Sequence, residues 1–315
     1  MSAIITRLLL LALYCKLALG QKNQVKKHGA NLDKIENELY LDYSITLQDV
    51  IAANPGCFTP RTGHTRAMAF EAQTSETYTA PPKPFINLGM PKAGSTTLYD
   101  FFHCAGYTTS HWTCPGSQMP GYYCGMCMIN AVQENKPPLK SCGNKDAFMQ
   151  LDITDMRLNS KSHRHCVFPQ HEFLEEIHAE APNATFILPF REMEAWVKSI
   201  EAWGQKYNYD YIGYLDRSCP YEGLLGGIEA SITAGKVPSI RSGHISGRMA
   251  QFVCDHVTRV RDFVRKHPSH TLIEYELEKG STSNFMLDIF KVENRECWGR
   301  SNFNQAAHFT GHLRG

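Results

Sequence analysis

The sequence predicts a three-layer α/β fold, in which a central parallel sheet is flanked by helices. Short apolar stretches of β-branched and aromatic residues alternate with longer amphipathic stretches. The strand candidates are 85–89, 147–153, 185–190 and 271–275, and the helix candidates are 170–180, 192–203, 246–266 and 284–291. Strands separated by helices of about ten residues or more are typical of βαβ units. We expect this domain to span 84–315.

Composition excludes several classes of protein. The 315 residues carry 32 lysines and arginines against 31 aspartates and glutamates, a formal net charge of +1. This balance excludes a nucleic-acid binder that works through a bulk basic surface. Beyond the N-terminus, no apolar run approaches the roughly 20 residues of a membrane span, which excludes a polytopic membrane protein.

The first 20 residues resemble a signal peptide. Arg7 is basic, 8–15 form a short apolar core, and 18–20 fit a small-residue cleavage pattern. A short signal anchor is the alternative, although Lys16 cuts the apolar run below a spanning length. Both interpretations direct the chain into the secretory pathway, to the Golgi lumen or outside the cell. Membrane attachment is expected only if this segment is uncleaved.

Residues 21–83 are expected to form an N-terminal extension and a linker. Leu32, Ile35 and Leu39 fall at helical spacing, which predicts a short amphipathic helix. Residues 59–84 are rich in threonine, proline and alanine, as linkers often are.

The cysteines predict disulfide bonds. Eleven are present, and loss of Cys15 with a signal peptide would leave ten, an even number suited to an oxidising compartment. An insertion at about 104–145, dense in cysteine, glycine and proline, is expected to carry its own bridges. Cys124 and Cys127 could instead form half of a zinc site or a redox pair, although no second such pair lies at zinc-ribbon spacing. Asn183 begins an N-glycosylation sequon.

The loop after the first strand predicts an anion site. Residues 89–97 read GMPKAGSTT, a glycine-bearing loop followed by a helix that should begin near Ser95. Backbone N–H groups and the helix dipole favour an anion at such a junction, and Lys92 adds a positive charge. The loop is not a Walker A sequence, because Lys92 lies two residues before Gly94 rather than after it. An ordinary surface turn before a helix is the alternative interpretation.

Three motifs together resemble the PAPS-dependent sulfotransferases of the Golgi and secretory pathway, the carbohydrate sulfotransferases among them. FINLGMPKAGSTTLYDFF resembles their 5′-phosphosulfate loop, and Arg191 with Ser199 repeats the Arg-x7-Ser spacing of their 3′-phosphate site. LIEYELEKG, at 272–280, resembles their late strand and turn. The resemblance covers about 84–300.

The resemblance implies the cofactor PAPS and assigns roles to particular residues. Lys92 would act catalytically at the oxygen that bridges sulfur and the 5′-phosphate. Arg191 could also be a structural ion-pair partner of Glu192 or Glu194. The implied cofactor-binding residues are Pro91, Lys92, Ala93, Gly94, Ser95, Thr96, Thr97, Arg191, Ser199 and Arg300.

The general base is less clearly marked. Asp152 falls where relatives carry a base after a strand, but Ile153 and Asp155 depart from their pattern. An aspartate that only caps the turn is the alternative. His103, His111 and His165 lie in segments that could face a cleft, but none matches a family motif.

The expected activity is sulfuryl transfer from PAPS to an acceptor hydroxyl, most simply on a carbohydrate, with no metal and no nucleic acid. The alternatives are a P-loop nucleotide kinase or hydrolase, and a secreted binding protein that has lost catalysis.

Overall fold

The computed structural model describes residues 46–61, 80–116, 123–154, 166–206 and 242–299. The chain divides into 1–45 and 46–315, and every described residue belongs to the second unit. The expected signal peptide, the helix at 32–39, most of the linker, Asp155, His165 and Arg300 lie outside the described residues.

In the described part of the chain, five parallel strands form the central sheet. Nine helices are described around them. This arrangement confirms the α/β prediction. The strands are β1 (Phe85–Asn87), β2 (Thr109–Ser110), β3 (Ala147–Phe148), β6 (Thr185–Phe190) and β7 (Thr271–Glu276). Their order across the sheet is β2-β3-β1-β6-β7. The helices are α1 (Leu47–Ala53), α2 (Ser95–Cys104), α3 (Cys124–Gln133), α4 (Pro138–Ser141), α5 (Pro169–Glu172), α6 (Leu174–Glu180), α7 (Met193–Lys206), α8 (Ser242–Lys266) and α9 (Thr282–Ile289).

The sheet is buried on both faces. All six residues of β6 are buried, as a strand with helices on both sides requires. Successive residues of a strand point to opposite faces, and here they enter different clusters. Ile86 and Phe186 pack in the core that α3 and α8 cover, whereas Phe85 and Ile187 pack with α2 and α9.

Several predicted elements differ from those observed. The candidate strand 147–153 is in the sheet only at its first two residues, and β4 (Ile153–Thr154) pairs antiparallel with β5 (Cys166–Val167). The candidate helix 170–180 is two helices separated at Phe173. The sequence did not predict β2 or the helices within the cysteine-rich insertion.

Four disulfides join cysteines in the part of the chain that the structure describes. Cys114–Cys124 and Cys127–Cys142 lie within the insertion, as expected. Cys57–Cys254 and Cys104–Cys297 join distant parts of the chain. Cys124 and Cys127 therefore belong to different bridges, which excludes the zinc and redox-pair alternatives. None of the described helices is both long and apolar enough to cross a bilayer.

Candidate active site

The carboxyl ends of the five parallel strands converge on one group of side chains. The connections from β1 and β6, which are neighbours, run to opposite edges of the sheet. Ligands of open α/β sheets bind outside the carboxyl ends of the strands at such a switch point. The residues that follow β2, β3, β1, β6 and β7 there are His111, Gln150 with Asp152, the loop 88–94, Arg191, and Leu277 with Glu278.

The loop requires glycine at one position and accepts strain at another. Lys92 has a left-handed backbone, with φ of 66°, which is costly for a residue with a Cβ. Gly94 has φ of 92°, and a Cβ there would lie 2.5 Å from Leu277 Cδ1. Any larger residue at 94 would meet both a strained backbone and a collision. The helix α2 begins at the next residue, Ser95.

Side chains from other elements hold the carbonyl groups of this loop. Each bond satisfies a backbone carbonyl of the loop with a side-chain N–H donor. The bonds are His256 Nε2 to Leu88 O at 2.7 Å, Gln170 Nε2 to Gly89 O at 3.3 Å, Trp196 Nε1 to Pro91 O at 2.7 Å, and Arg191 Nη1 to Lys92 O at 3.0 Å.

The backbone amides at the start of α2 contrast with these hydrogen-bonded carbonyls. Within the described parts of the chain, no group accepts a hydrogen bond from the amides of Gly94, Ser95 or Thr97. The first N–H groups of any helix lack an intrahelical acceptor and carry the positive end of the dipole. Carbonyls already hydrogen-bonded to side chains and amides left open together make the loop suited to an anion.

Lys92 brings a full positive charge to this loop. Its Nζ lies 4.2 Å from the centroid of the Trp203 ring, a cation–π contact with α7. Burial lowers the pKa of His111, and the charge of Lys92 lowers it further.

Arg191 links the two predicted phosphate motifs. Besides its bond to Lys92 O, its Nε and Nη2 contact Glu278 Oε1 at 3.1 and 3.0 Å. The ion-pair alternative named Glu192 or Glu194 as its partner, but the partner is Glu278. Glu192 instead accepts hydrogen bonds from the amides of Glu194 and Ala195 at the start of α7.

A chain of hydrogen bonds runs from Asp152 to the start of α2. Gln150 Nε2 donates to Asp152 Oδ2 at 3.1 Å, and Ser95 Oγ donates to Gln150 Oε1 at 3.2 Å. His111 Nε2 lies 3.2 Å from Ser95 Oγ and 3.3 Å from Thr96 Oγ1. Burial raises the pKa of Asp152, which is 2% exposed, to about 6. Burial also lowers the pKa of His111 to about 4, helped by Lys92 and opposed by Asp100.

A family model described as a sulfotransferase domain matches residues 85–282. The chain belongs to the sulfotransferase family. No curated protein matched the chain. The matched range includes the loop, the Gln150–Asp152 turn, Arg191 and both Glu278 and Leu277, so the carboxyl ends of all five strands lie within it.

Ser199 of this sulfotransferase lies in the helix that follows Arg191, as its spacing predicts. The side chain is 5% exposed. It falls between Trp196 and Trp203, at helical spacing from both. Because those two tryptophans contact Pro91 and Lys92, the stripe that includes Ser199 is turned toward the loop.

The other predicted residues have varied positions in the sulfotransferase. His103 stacks on Tyr99 at the end of α2 remote from the loop, with ring centroids 5.8 Å apart. Arg300, expected at the 3′-phosphate, lies outside the described residues. Among those that the structure describes, no three or more His, Cys, Asp or Glu side chains are placed to hold a metal ion.

His111 and Gln150 are the residues that sequence reasoning could not assign. His111 was named only as one of three histidines near a possible cleft, and Gln150 was not named at all. Both follow strands of two residues, which leave almost no periodic signal. For Gln150, the available indication was a polar residue directly after the apolar run 147–149.

Proposed function

We propose that this sulfotransferase-family protein moves the sulfuryl group of PAPS to a hydroxyl group of a carbohydrate in the secretory pathway. The observation that carries the proposal is the loop at the β1–β6 switch point. Its carbonyls are held by four side chains, its helix amides are open, and Lys92 and Arg191 lie beside it. These are the features that two anionic groups of one nucleotide require.

The 5′-phosphosulfate fits the start of α2. The amides of Gly94, Ser95 and Thr97, with Pro91, Ala93 and the hydroxyls of Ser95, Thr96 and Thr97, would form its cradle. The Leu277 side chain occupies the space that a Cβ at residue 94 would need, so this point of the cradle requires glycine.

The 3′-phosphate fits Arg191 and Ser199. The guanidinium has five N–H donors, and its described contacts use three of them, two toward Glu278 and one toward Lys92 O. The other two remain available to a phosphate, which arginine binds bidentately. Ser199 would add a hydroxyl donor, and Arg300 would complete the site.

Catalysis would rest on charge stabilisation and on one proton transfer. PAPS, when bound, supplies an activated sulfuryl group, and its transfer leaves the electron pair of the broken S–O bond on a phosphate oxygen. Lys92 would stabilise that negative charge, as preorganised cations do in related transfers.

Asp152 would accept the proton of the acceptor hydroxyl. A base is most effective when its pKa lies near the working pH, and burial raises the pKa of Asp152 to about 6. Burial also keeps bulk water from the carboxylate, which reserves it for a hydroxyl bound in the site.

The proposed compartment and acceptor rest on other observations. Four disulfides are typical of proteins in oxidising compartments. Asn183 of the sequon is exposed and could carry a glycan. Carbohydrate hydroxyls are abundant acceptors on the secretory route.

The test is transfer of label by the full chain. Radiolabelled PAPS is incubated with a panel of glycans and other hydroxyl compounds, in parallel with labelled ATP and Mg²⁺. Label in a glycan from PAPS, lost in Lys92→Ala and retained in Lys198→Ala, is the expected result. Transfer of phosphate from ATP would identify a kinase instead.

A further inference from the structure

Gln150 joins the proposed base to the proposed cofactor cradle. It lies after β3, half-buried, and its amide contacts Asp152 on one side and Ser95 on the other. No other described residue bridges these two side chains.

The direction of the hydrogen bonds in this chain follows from chemistry. An ionised carboxylate only accepts, so Gln150 turns its NH₂ group toward Asp152 and its carbonyl toward Ser95. Ser95 then gives its one hydrogen to Gln150. A hydroxyl has a single hydrogen, so Ser95 can only accept from His111 and has none left for a ligand.

Protonation gives Asp152 a hydrogen to donate, which allows this direction to reverse. The acid O–H donates to the carbonyl of Gln150, and the turned amide donates to Ser95 Oγ. The two lone pairs of Ser95 then accept from Gln150 and His111, and its hydrogen is released toward the start of α2. Reversal needs only rotation of one amide and one hydroxyl.

We propose that Gln150 is a positioning residue that couples the protonation of Asp152 to the binding of an anion at Ser95. The inference rests on the proposed function, since the anion is the 5′-phosphate group of the nucleotide. In turnover, the proton that Asp152 accepts from the acceptor would release the hydrogen of Ser95 when negative charge develops beside it.

Among the described residues, few charged or titratable groups act on this hydrogen-bond chain. Burial and the Gln150 hydrogen bond act on Asp152 itself. His111 lies at the other end, where Lys92 of the loop and Asp100 of α2 act on its charge. Leu151 and Ile153 pack against the helix α3 at Gly125. This helix has no ionisable side chain other than two disulfide-bonded cysteines. Among the groups linked by these hydrogen bonds, Asp152 is therefore the one whose charge changes most between about pH 5 and pH 7.

The test is calorimetric titration of the full chain with PAP between about pH 5 and pH 8. The phosphates of PAP titrate near pH 6 in every variant, so affinities are compared as ratios between variants at each pH. Gln150→Met removes the coupling and keeps side-chain size. Gln170→Met is the matched control, because Gln170 also contacts the loop but does not reach Asp152.

The ratio of the PAP affinity of the wild-type chain to that of Gln150→Met should rise about tenfold as the pH falls through 6. This is the size of one hydrogen bond to a charged group. It should also take up more protons on binding than Gln150→Met when heats are compared in two buffers. Gln170→Met should keep the wild-type pH dependence. Asp152→Asn, whose amide can donate as the protonated acid does, should keep at every pH the affinity ratio to Gln150→Met that the wild type reaches at low pH.

Equal pH dependence in the wild type and Gln150→Met, with PAP bound by both, would overturn this inference and leave the proposed function standing. A pH-dependent Asp152→Asn, relative to Gln150→Met, would also overturn it. Failure of the folded wild-type chain to bind PAP at any pH would overturn the proposed function.

Discussion

Arg191 donates a hydrogen bond to the carbonyl oxygen of Lys92 at 3.0 Å, across 99 residues of sequence. The contact joins the residue proposed for the 3′-phosphate to the residue proposed for the transferred group. The conformation of the loop and the position of the guanidinium are therefore coupled, so that a ligand which orders one should order the other.

Glu278→Gln should tighten PAP binding, because Glu278 occupies two donors of Arg191. The gain should be only about two- to fivefold, because exposed ion pairs are weak. Removing its charge also removes repulsion of the 3′-phosphate. Calorimetry measures the change, and Glu276→Gln, an exposed glutamate on the same segment that pairs with Lys279, is the control. Equal effects of the two variants would show that only net charge matters.

Gly94→Ala should abolish PAP binding and lower the free energy of unfolding by more than Gly106→Ala does. Both glycines have left-handed backbones, with φ of 92° and 85°, so each variant loses about 1 kcal/mol to backbone strain. Only at residue 94 does the added Cβ collide with Leu277. Denaturant unfolding and PAP titration of both variants measure the difference. If Gly106→Ala loses binding equally, the contact with Leu277 is not decisive.

Stability should fall as the pH is lowered from 7 toward 4. Burial lowers the pKa of His111 and His171 to about 4 and that of His256 to about 3. Below about pH 6.5 the unfolded chain binds protons at these histidines and the folded chain does not, which favours unfolding. Asp152 acts in the opposite sense, because its raised pKa makes the folded chain bind a proton first.

Thermal melts at a series of pH values test this balance. His256→Gln, which can still donate to Leu88 O, should flatten the fall in melting temperature, whereas Asp152→Asn should steepen it. Stability that rises on acidification of the wild type would contradict the assignment of these three histidines as neutral in the folded chain.

Arg261→Gln should cost about 3 to 5 kcal/mol of stability, because it leaves the buried carboxylate of Glu274 without its charge partner. Arg261 contacts Glu274 at 2.7 and 2.8 Å and also donates to the carbonyls of Gly56 and Thr59. Arg265→Gln, which breaks an exposed pair with Asp262 on the same helix, should cost less than about 1 kcal/mol. Similar losses in denaturant unfolding would contradict a special role for the buried pair.

The elements that the sequence predicted well are those with long apolar runs. The strand β6 was predicted residue for residue at 185–190, and β7 differs by one residue. Their burial on both faces produces continuous hydrophobic stretches, which sequence alone reveals. The strands β2 and β3 have two residues each and were missed or overextended. A strand that short is defined by its neighbours rather than by its own composition.

The candidate site was predictable where a motif carries it within one segment. The loop 89–97 and Arg191 with Ser199 are such segments. Contacts between segments could not be predicted, and these include Trp196 to Pro91 O, Arg191 to Glu278 and Ser95 to Gln150. Such contacts depend on strand order, which brings distant residues together at one edge of the sheet.

The most direct test of the central claim is calorimetric titration of the full, oxidised chain with PAP and with ATP and Mg²⁺. Lys92→Ala and Arg191→Ala are titrated beside Lys198→Ala, an exposed lysine on α7. We predict micromolar PAP binding, weaker ATP binding, and a loss of about tenfold or more in the first two variants only, as for hydrogen bonds to charged groups. Tight ATP binding that ignores the 3′-phosphate, or PAP binding unchanged in Lys92→Ala, would contradict the account.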